Sequence, residues 1–183
     1  MDASAIIAAL ETLVPESGAG AVESVDQPTI LVPADRLAAV CGALRDDPAL
    51  QYTALVDIVG VDNLPNEPRF EVNYSLVAVD VPARLRVKVR VGGERPHVPS
   101  LVGVWPSAGF LEREVWDLFG VEFDGHPDLR RLLTAEDWEG HPLRMDYPVQ
   151  VDVPVKFEAP TQVTEEQFKE TIKQDSRLRG ARG

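Results

Sequence analysis

Leu85, Val87, Val89 and Val91 alternate with Arg86, Lys88 and Arg90. A period of two puts apolar side chains on one face of an extended strand and cations on the other, so the chain must build a sheet with one covered face. Residues 70–79 repeat the pattern, with Phe70, Val72, Tyr74 and Leu76 set against Glu71, Asn73 and Ser75. Residues 52–61 are apolar on both faces in places (Ala54, Leu55, Val56, Ile58, Val59), which predicts a central strand covered on both sides. The three stretches are joined by short, turn-rich links, Asp62 to Pro68 and a break near Pro82. Links this short favour antiparallel pairing. Gly92-Gly93 ends the last strand.

Helical spacing appears on either side. Residues 2–13 mix Ala, Ile and Leu, and Pro15 stops them. Pro33-Ala34-Asp35 opens a second helix, closed by Asp46-Asp47-Pro48, with Leu37, Val40, Cys41 and Leu44 on one face. Cys41 on that face reads as a small buried thiol. Residues 19–25 and 29–32 are short strand candidates. Residues 99–103 and 106–119 are expected as helices, the second with a stripe of Leu111, Val115 and Leu118, an Arg113–Asp117 pair at i, i+4, and Gly120 as its stop. The fold class is α+β: a mostly antiparallel sheet with packed helices, then an aromatic and charged loop region, then an extended C-terminal arm. Residues 1–148 form the domain and 149–183 the arm, where Val149, Val151, Val153 and Val155 alternate with other residues. Thr164-Glu165-Glu166-Gln167 predicts a late helix with a capping-box start. The basic, Gly-containing end at 177–183 is expected to be disordered or partner-bound.

A net charge of −12 opposes binding to nucleic acid or to an anionic lipid surface. No run approaches about eighteen uninterrupted apolar residues, so no membrane helix is expected. The start Met1-Asp2-Ala3-Ser4 has no basic region of the signal-peptide type. A single Cys allows no internal disulfide and fits a reducing compartment.

Residues 112–148 are the densest in unusual types. They hold two of the three Trp, two of the three His, ten acidic residues and four Arg. Gly125-His126-Pro127 and Gly140-His141-Pro142 repeat a triplet fifteen residues apart. The spacing fits no common zinc pattern, and no Cys cluster accompanies it. Each triplet instead reads as a sharp corner whose His donates to a carbonyl, because Pro fixes φ and Gly permits an unusual one. Glu112, Glu114 and Asp117 read as ion-paired rather than catalytic. Any of the ten acids that are buried require cations, and a neighbouring subunit is one source. No phosphate loop, dinucleotide fingerprint, iron–sulfur Cys set or nucleophile triad is present.

The ordered run Glu112-Arg113-Glu114-Val115-Trp116-Asp117-Leu118-Phe119-Gly120, then Gly125-His126-Pro127-Asp128-Leu129-Arg130-Arg131, then Gly140-His141-Pro142-Leu143-Arg144, resembles the signature of the 30-kDa subunit of NADH-quinone oxidoreductase, respiratory complex I. One letter departs: Met145 stands where that family usually has Lys. The resemblance implies a subunit without catalytic residues, cofactor or metal of its own. The complex as a whole is expected to use FMN, iron–sulfur clusters, NADH and quinone. The implied partners are other subunits of the hydrophilic arm, above all the large 49-kDa quinone-site subunit, with the membrane reached only through the complex, on the cytoplasmic side of a bacterial plasma membrane. Interface candidates are Glu112, Arg113, Glu114, Asp117, His126, Asp128, Arg130, Arg131, Trp138, His141, Arg144, Asp146 and Tyr147. Two alternatives stand beside this: the same module in a membrane-bound hydrogenase or a ferredoxin- or deazaflavin-linked dehydrogenase, and a stand-alone hydrolase or metalloenzyme using the His126 and His141 region.

Overall fold

The computed structural model describes residues 2–148, 164–166 and 168–170. Elements follow in the order α1 (Ala3–Leu13), β1 (Gly20–Val22), β2 (Thr29–Leu31), a 3-10 turn (Ala34–Arg36), α2 (Leu37–Asp46), β3 (Ala54–Asp62), β4 (Phe70–Ala78), β5 (Ala83–Val91), β6 (His97–Pro99), α3 (Ala108–Phe119) and β7 (Glu122–Asp124). The main sheet has the order β1-β2-β5-β4-β3 and is antiparallel except where β2 runs parallel to β5. β6 and β7 form a separate parallel pair. The fold is α+β, as the alternation requires.

Leu85, Val87 and Val89 are fully buried, opposite Leu76, Tyr74 and Val72 of β4. α2 adds Leu37, Val40, Cys41 and Leu44 to the same core. Cys41 is a free, buried thiol whose pKa burial pushes well up. The cations of β5 point to the other face. There Glu71 accepts from Lys88 at 2.9 Å and Arg90 at 3.0 Å, which leaves the carboxylate nearly buried yet paired.

Three expectations about the elements are corrected. Residues 52–61 contain β3, an edge strand rather than a covered central one. Val56, Val59 and Val61 are exposed, and Val59 and Val61 lie opposite Asn73 and Glu71 on the sheet's polar face, so one of its two apolar faces is uncovered. Residues 99–103 form no helix. His97–Pro99 is a strand instead, and β7 also arises from residues expected as loop. The arm at 149–163 and the end at 177–183 lie outside the described residues. The late helix is present at 165–166 and 168–170, with Phe168 N–H donating to the Thr164 carbonyl at 3.0 Å.

α3 lies against β3, and Gly60 makes that approach possible. A Cβ there would sit 2.6 Å from the Phe119 ring, whereas one at Gly42 in α2 meets nothing within 4 Å. Gly60→Ala is therefore expected to destabilise the chain by about 1–3 kcal/mol through overpacking. Gly42→Ala should stabilise it by about 0.5–1 kcal/mol through helix propensity. Urea unfolding of the two variants checks the opposite signs.

Candidate partner-binding surface

α3 is the platform for the dense segment, and its buried side differs from the expected stripe. Val115 is buried, but Leu111 and Leu118 are only half-buried, while Glu112 and Asp117 are fully buried. The helix is covered twice. The sheet takes one flank, and the chain after β7 returns over the other with donors of its own.

Asp117 is the centre of that return. Its carboxylate accepts from Arg131 Nη1 at 2.9 Å, from the backbone N–H groups of Leu132, Leu133 and Thr134 at 3.0, 2.7 and 2.9 Å, and from the Thr134 hydroxyl. Burial alone would raise its pKa. The hydrogen bonds from Thr134, Arg131 and Leu132 outweigh burial and hold the carboxyl well below the usual range. Arg113 does not pair with Asp117. It donates to the carbonyls of Arg130 and Arg131 at 3.1 and 2.9 Å, fixing the same stretch of loop from a second side. Arg131 also donates to the carbonyls of Trp138 and Gly140 and lies over the Trp116 ring at 5.5 Å.

The two Gly-His-Pro corners grip opposite ends of α3. His126 Nε2 donates to the Gly109 carbonyl at 2.9 Å, while its Nδ1 accepts from the Asp128 N–H at 3.0 Å, which places the proton on Nε2. His141 Nδ1 donates to the Asp117 carbonyl at 2.9 Å. Burial lowers the His141 pKa, and neighbouring Arg144 and Arg131 add to that. Both corner glycines have positive φ, 82° at Gly125 and 79° at Gly140. The second corner also completes the helix end. The last carbonyls of an α-helix lack partners within it. Here Leu118 O accepts from Leu143 N at 3.0 Å, and Phe119 O accepts from Arg144 Nε at 2.6 Å. Gly120 closes the helix at φ 71°, its N–H donating to Trp116 O.

Glu112, the other buried carboxylate, accepts from Ser100 Oγ and Leu101 N, each at 2.6 Å, and burial raises its pKa. The remaining acids between 112 and 148 are exposed, so neutralising the buried pair needs no cation from outside the chain. Residues remote in sequence add a further tie. Arg69 bridges Asp62 and Asp146, at 2.7 Å to each, and Met145 N–H donates to Asp62 at 2.9 Å. The Arg69 hydrogen bonds lead the causes that lower the Asp62 pKa to about 2. Met145 contributes its backbone to this tie, and its side chain is exposed.

The structure therefore divides the candidates. Arg113, Asp117, His126, Arg131, His141 and Arg144 hold the loop from within, whereas Glu112 is buried against Ser100 and Leu101 ahead of α3. Glu114, Asp128, Arg130, Trp138 and Asp146 stand exposed, Arg130 paired to Asp128 at 2.9 Å and Trp138 stacked on half-buried Tyr147. Phe110, Leu133, Leu143 and Met145 extend the exposed apolar set. Among the described residues no group of three or more His, Cys, Asp or Glu is placed to hold a metal ion. No described helix is long and apolar enough to cross a membrane.

Residues 30–153 match the family described as respiratory-chain NADH dehydrogenase, 30 Kd subunit. The chain belongs to that family. An NADH-quinone oxidoreductase subunit of Roseiflexus sp. (strain RS-1) is 43% identical over 148 residues, covering 81% of this chain and 85% of that protein. An NADH-quinone oxidoreductase subunit of Rhizobium meliloti (strain 1021) is 47% identical over 117 residues, covering 64% of each. A solved structure described as "Nqo5 of the trypsin-resistant fragment (1-134) in P63 form" is 35% identical with a TM-score of 0.52, covering 66% of this chain and 98% of that one. A chain of an archaeal membrane-bound sulfane sulfur reductase shares the fold, with a TM-score of 0.67 at 24% identity, over 88% of this chain and 95% of that one. In this member of the 30-kDa family, the matched span takes in α3 and both His-Pro corners.

The two buried carboxylates of this 30-kDa subunit have opposite pH signatures. Asp117 has a depressed folded pKa. Its contribution is complete above the unfolded carboxylate value, about 3.9, and is lost as pH falls toward the folded one. Glu112 has a raised folded pKa, so its contribution is complete at low pH and is lost as pH rises through that value. Asp117→Asn is expected to cost about 3 kcal/mol or more near neutrality, shrinking in acid. The cost of Glu112→Gln should instead fall as pH rises from 4 to 7. Denaturant titrations across that range distinguish the two.

Proposed function

We propose that the chain is a non-catalytic structural subunit in the peripheral arm of a proton-translocating NADH:quinone oxidoreductase. It stands on the cytoplasmic side of a bacterial plasma membrane and meets that membrane only through the complex. Its task is mechanical. Electron transfer through iron–sulfur clusters to quinone depends steeply on distance, and a rigid subunit fixes the spacing of the neighbours that hold the clusters. FMN, iron–sulfur clusters, NADH and quinone belong to those neighbours.

The carrying observation is the internally braced loop from Arg131 to Met145, which displays Leu133, Trp138, Leu143 and Met145 to solvent. Apolar anchors rimmed by charge are the make-up of an interface core and its edge. The neighbour proposed to cover it is the large quinone-site subunit of 49 kDa. Family membership and the NADH-quinone oxidoreductase relatives support the choice of complex. Residues 149–183 are proposed as an arm that wraps a neighbour, a reading that rests on the sequence; residues 164–166 and 168–170 alone are described there.

Leu133→Asp should leave the free chain's stability within about 0.5 kcal/mol, because the side chain is exposed. The same change should cut recovery of the variant with the large subunit about tenfold in affinity purification. Undiminished recovery would remove this loop from the interface. The purified wild-type chain should oxidise no NADH, and trypsin should cut within 149–183 faster in the free chain than in the complex.

A further inference from the structure

The outer edge of β3 adjoins the surface described above and shares Leu143 with it. It runs for nine residues, and among the described residues no strand lies beside it. Edge strands expose unpaired N–H and C=O groups, and proteins blunt them with Lys, Pro, bulges or short length. β3 carries no Lys or Pro, and its one irregularity, between Leu55 and Asp57, leaves residues 57–62 in regular register with β4. Val56, Val59 and Val61 are 59%, 45% and 36% exposed. α3 flanks the strand and makes with it a groove of about 240 Å³, whose walls include Ile58, Val59, Leu118 and Leu143. Asp57 and Glu114 are the charged residues lining the groove, and neither side chain has a hydrogen bond or ion pair among the described residues.

We propose that the β3 edge accepts an extended segment of a neighbouring subunit, in which apolar residues alternate with Lys or Arg. The proposal rests on the reading of the chain as an assembled subunit. Strand addition draws affinity from the backbone ladder and specificity from pockets that take alternate side chains. Here the groove beside Leu118 and Leu143 takes the apolar set, and Asp57 and Glu114 take the cations. A second copy of this chain fits poorly. Two β3 edges pairing together would bring the Asp57 and Glu114 of each copy to one seam without a cation, and like charges across a strand pair destabilise it.

A photo-crosslinking residue at Val59 in the assembled complex tests this, together with Asp57→Lys combined with Glu114→Lys. The expected adduct is to another subunit, at positions two apart in a segment bearing Lys or Arg. The double charge reversal should weaken assembly about tenfold while the free chain's melting temperature stays unchanged. Asp80→Lys, on the exposed turn between β4 and β5, should have no effect. An adduct within the chain, an adduct to a second copy, or no adduct in a fully assembled complex would overturn the strand-addition proposal and leave the subunit reading standing. Failure of the wild-type chain to co-purify with any dehydrogenase subunit would instead overturn the subunit reading itself.

Discussion

A buried carboxylate on α3 organises the surface of this chain. Removing an ion such as Asp117 from water costs several kcal/mol, and only close, directed partners offset that cost. The partners come from residues 131–134, three of them as consecutive backbone N–H groups. Consecutive amides can converge on one oxygen only if the backbone curls around it, so the charge dictates the loop's path. The His and Arg contacts then extend that path in both directions. His126 ties its start to the first turn of α3, and His141 and Arg144 tie its later part to the last turn.

The sheet supplies the foundation. α3 comes close enough to β3 for Phe119 to pack on Gly60, and Arg69 joins the end of β3 to the loop through Asp62 and Asp146. Core, helix and loop are thereby tied by contacts between residues far apart in the chain. A surface with this construction meets its partner already formed, so little ordering entropy opposes binding.

What the residues disclosed follows from the range of each interaction. The alternation in β4 and β5, the buried face of α2 and the stop at Gly120 are local, and they are legible in the sequence. So is the sharp corner at each Gly-His-Pro triplet, which follows from the conformational limits of Gly and Pro, and each His there donates to a carbonyl as expected. The carbonyls that are used lie 17 and 24 residues away, on α3, and no local signal points to them. Arg113 lies within helical reach of Asp117, yet the returning loop outcompetes it with five donors. The same loop explains why Asp117 is buried where a simple apolar stripe is expected, and Ser100 and Leu101, ahead of α3, do the same for Glu112. β3 misleads for a different reason: exposed valines on an edge look like the apolar faces of a covered strand. Arg69 and Asp146, 77 residues apart, carry no signal at all until the fold joins them.

The central claim is that the Arg131–Met145 surface is braced before any partner arrives, with Asp117 as its anchor. Amide hydrogen exchange in the isolated chain tests it most directly. The N–H groups of Leu132, Leu133 and Thr134 should exchange as slowly as those in the centre of β4, and should lose that protection together in Asp117→Asn. Exchange of these three amides at the rate of an open loop in the wild-type chain would contradict the account.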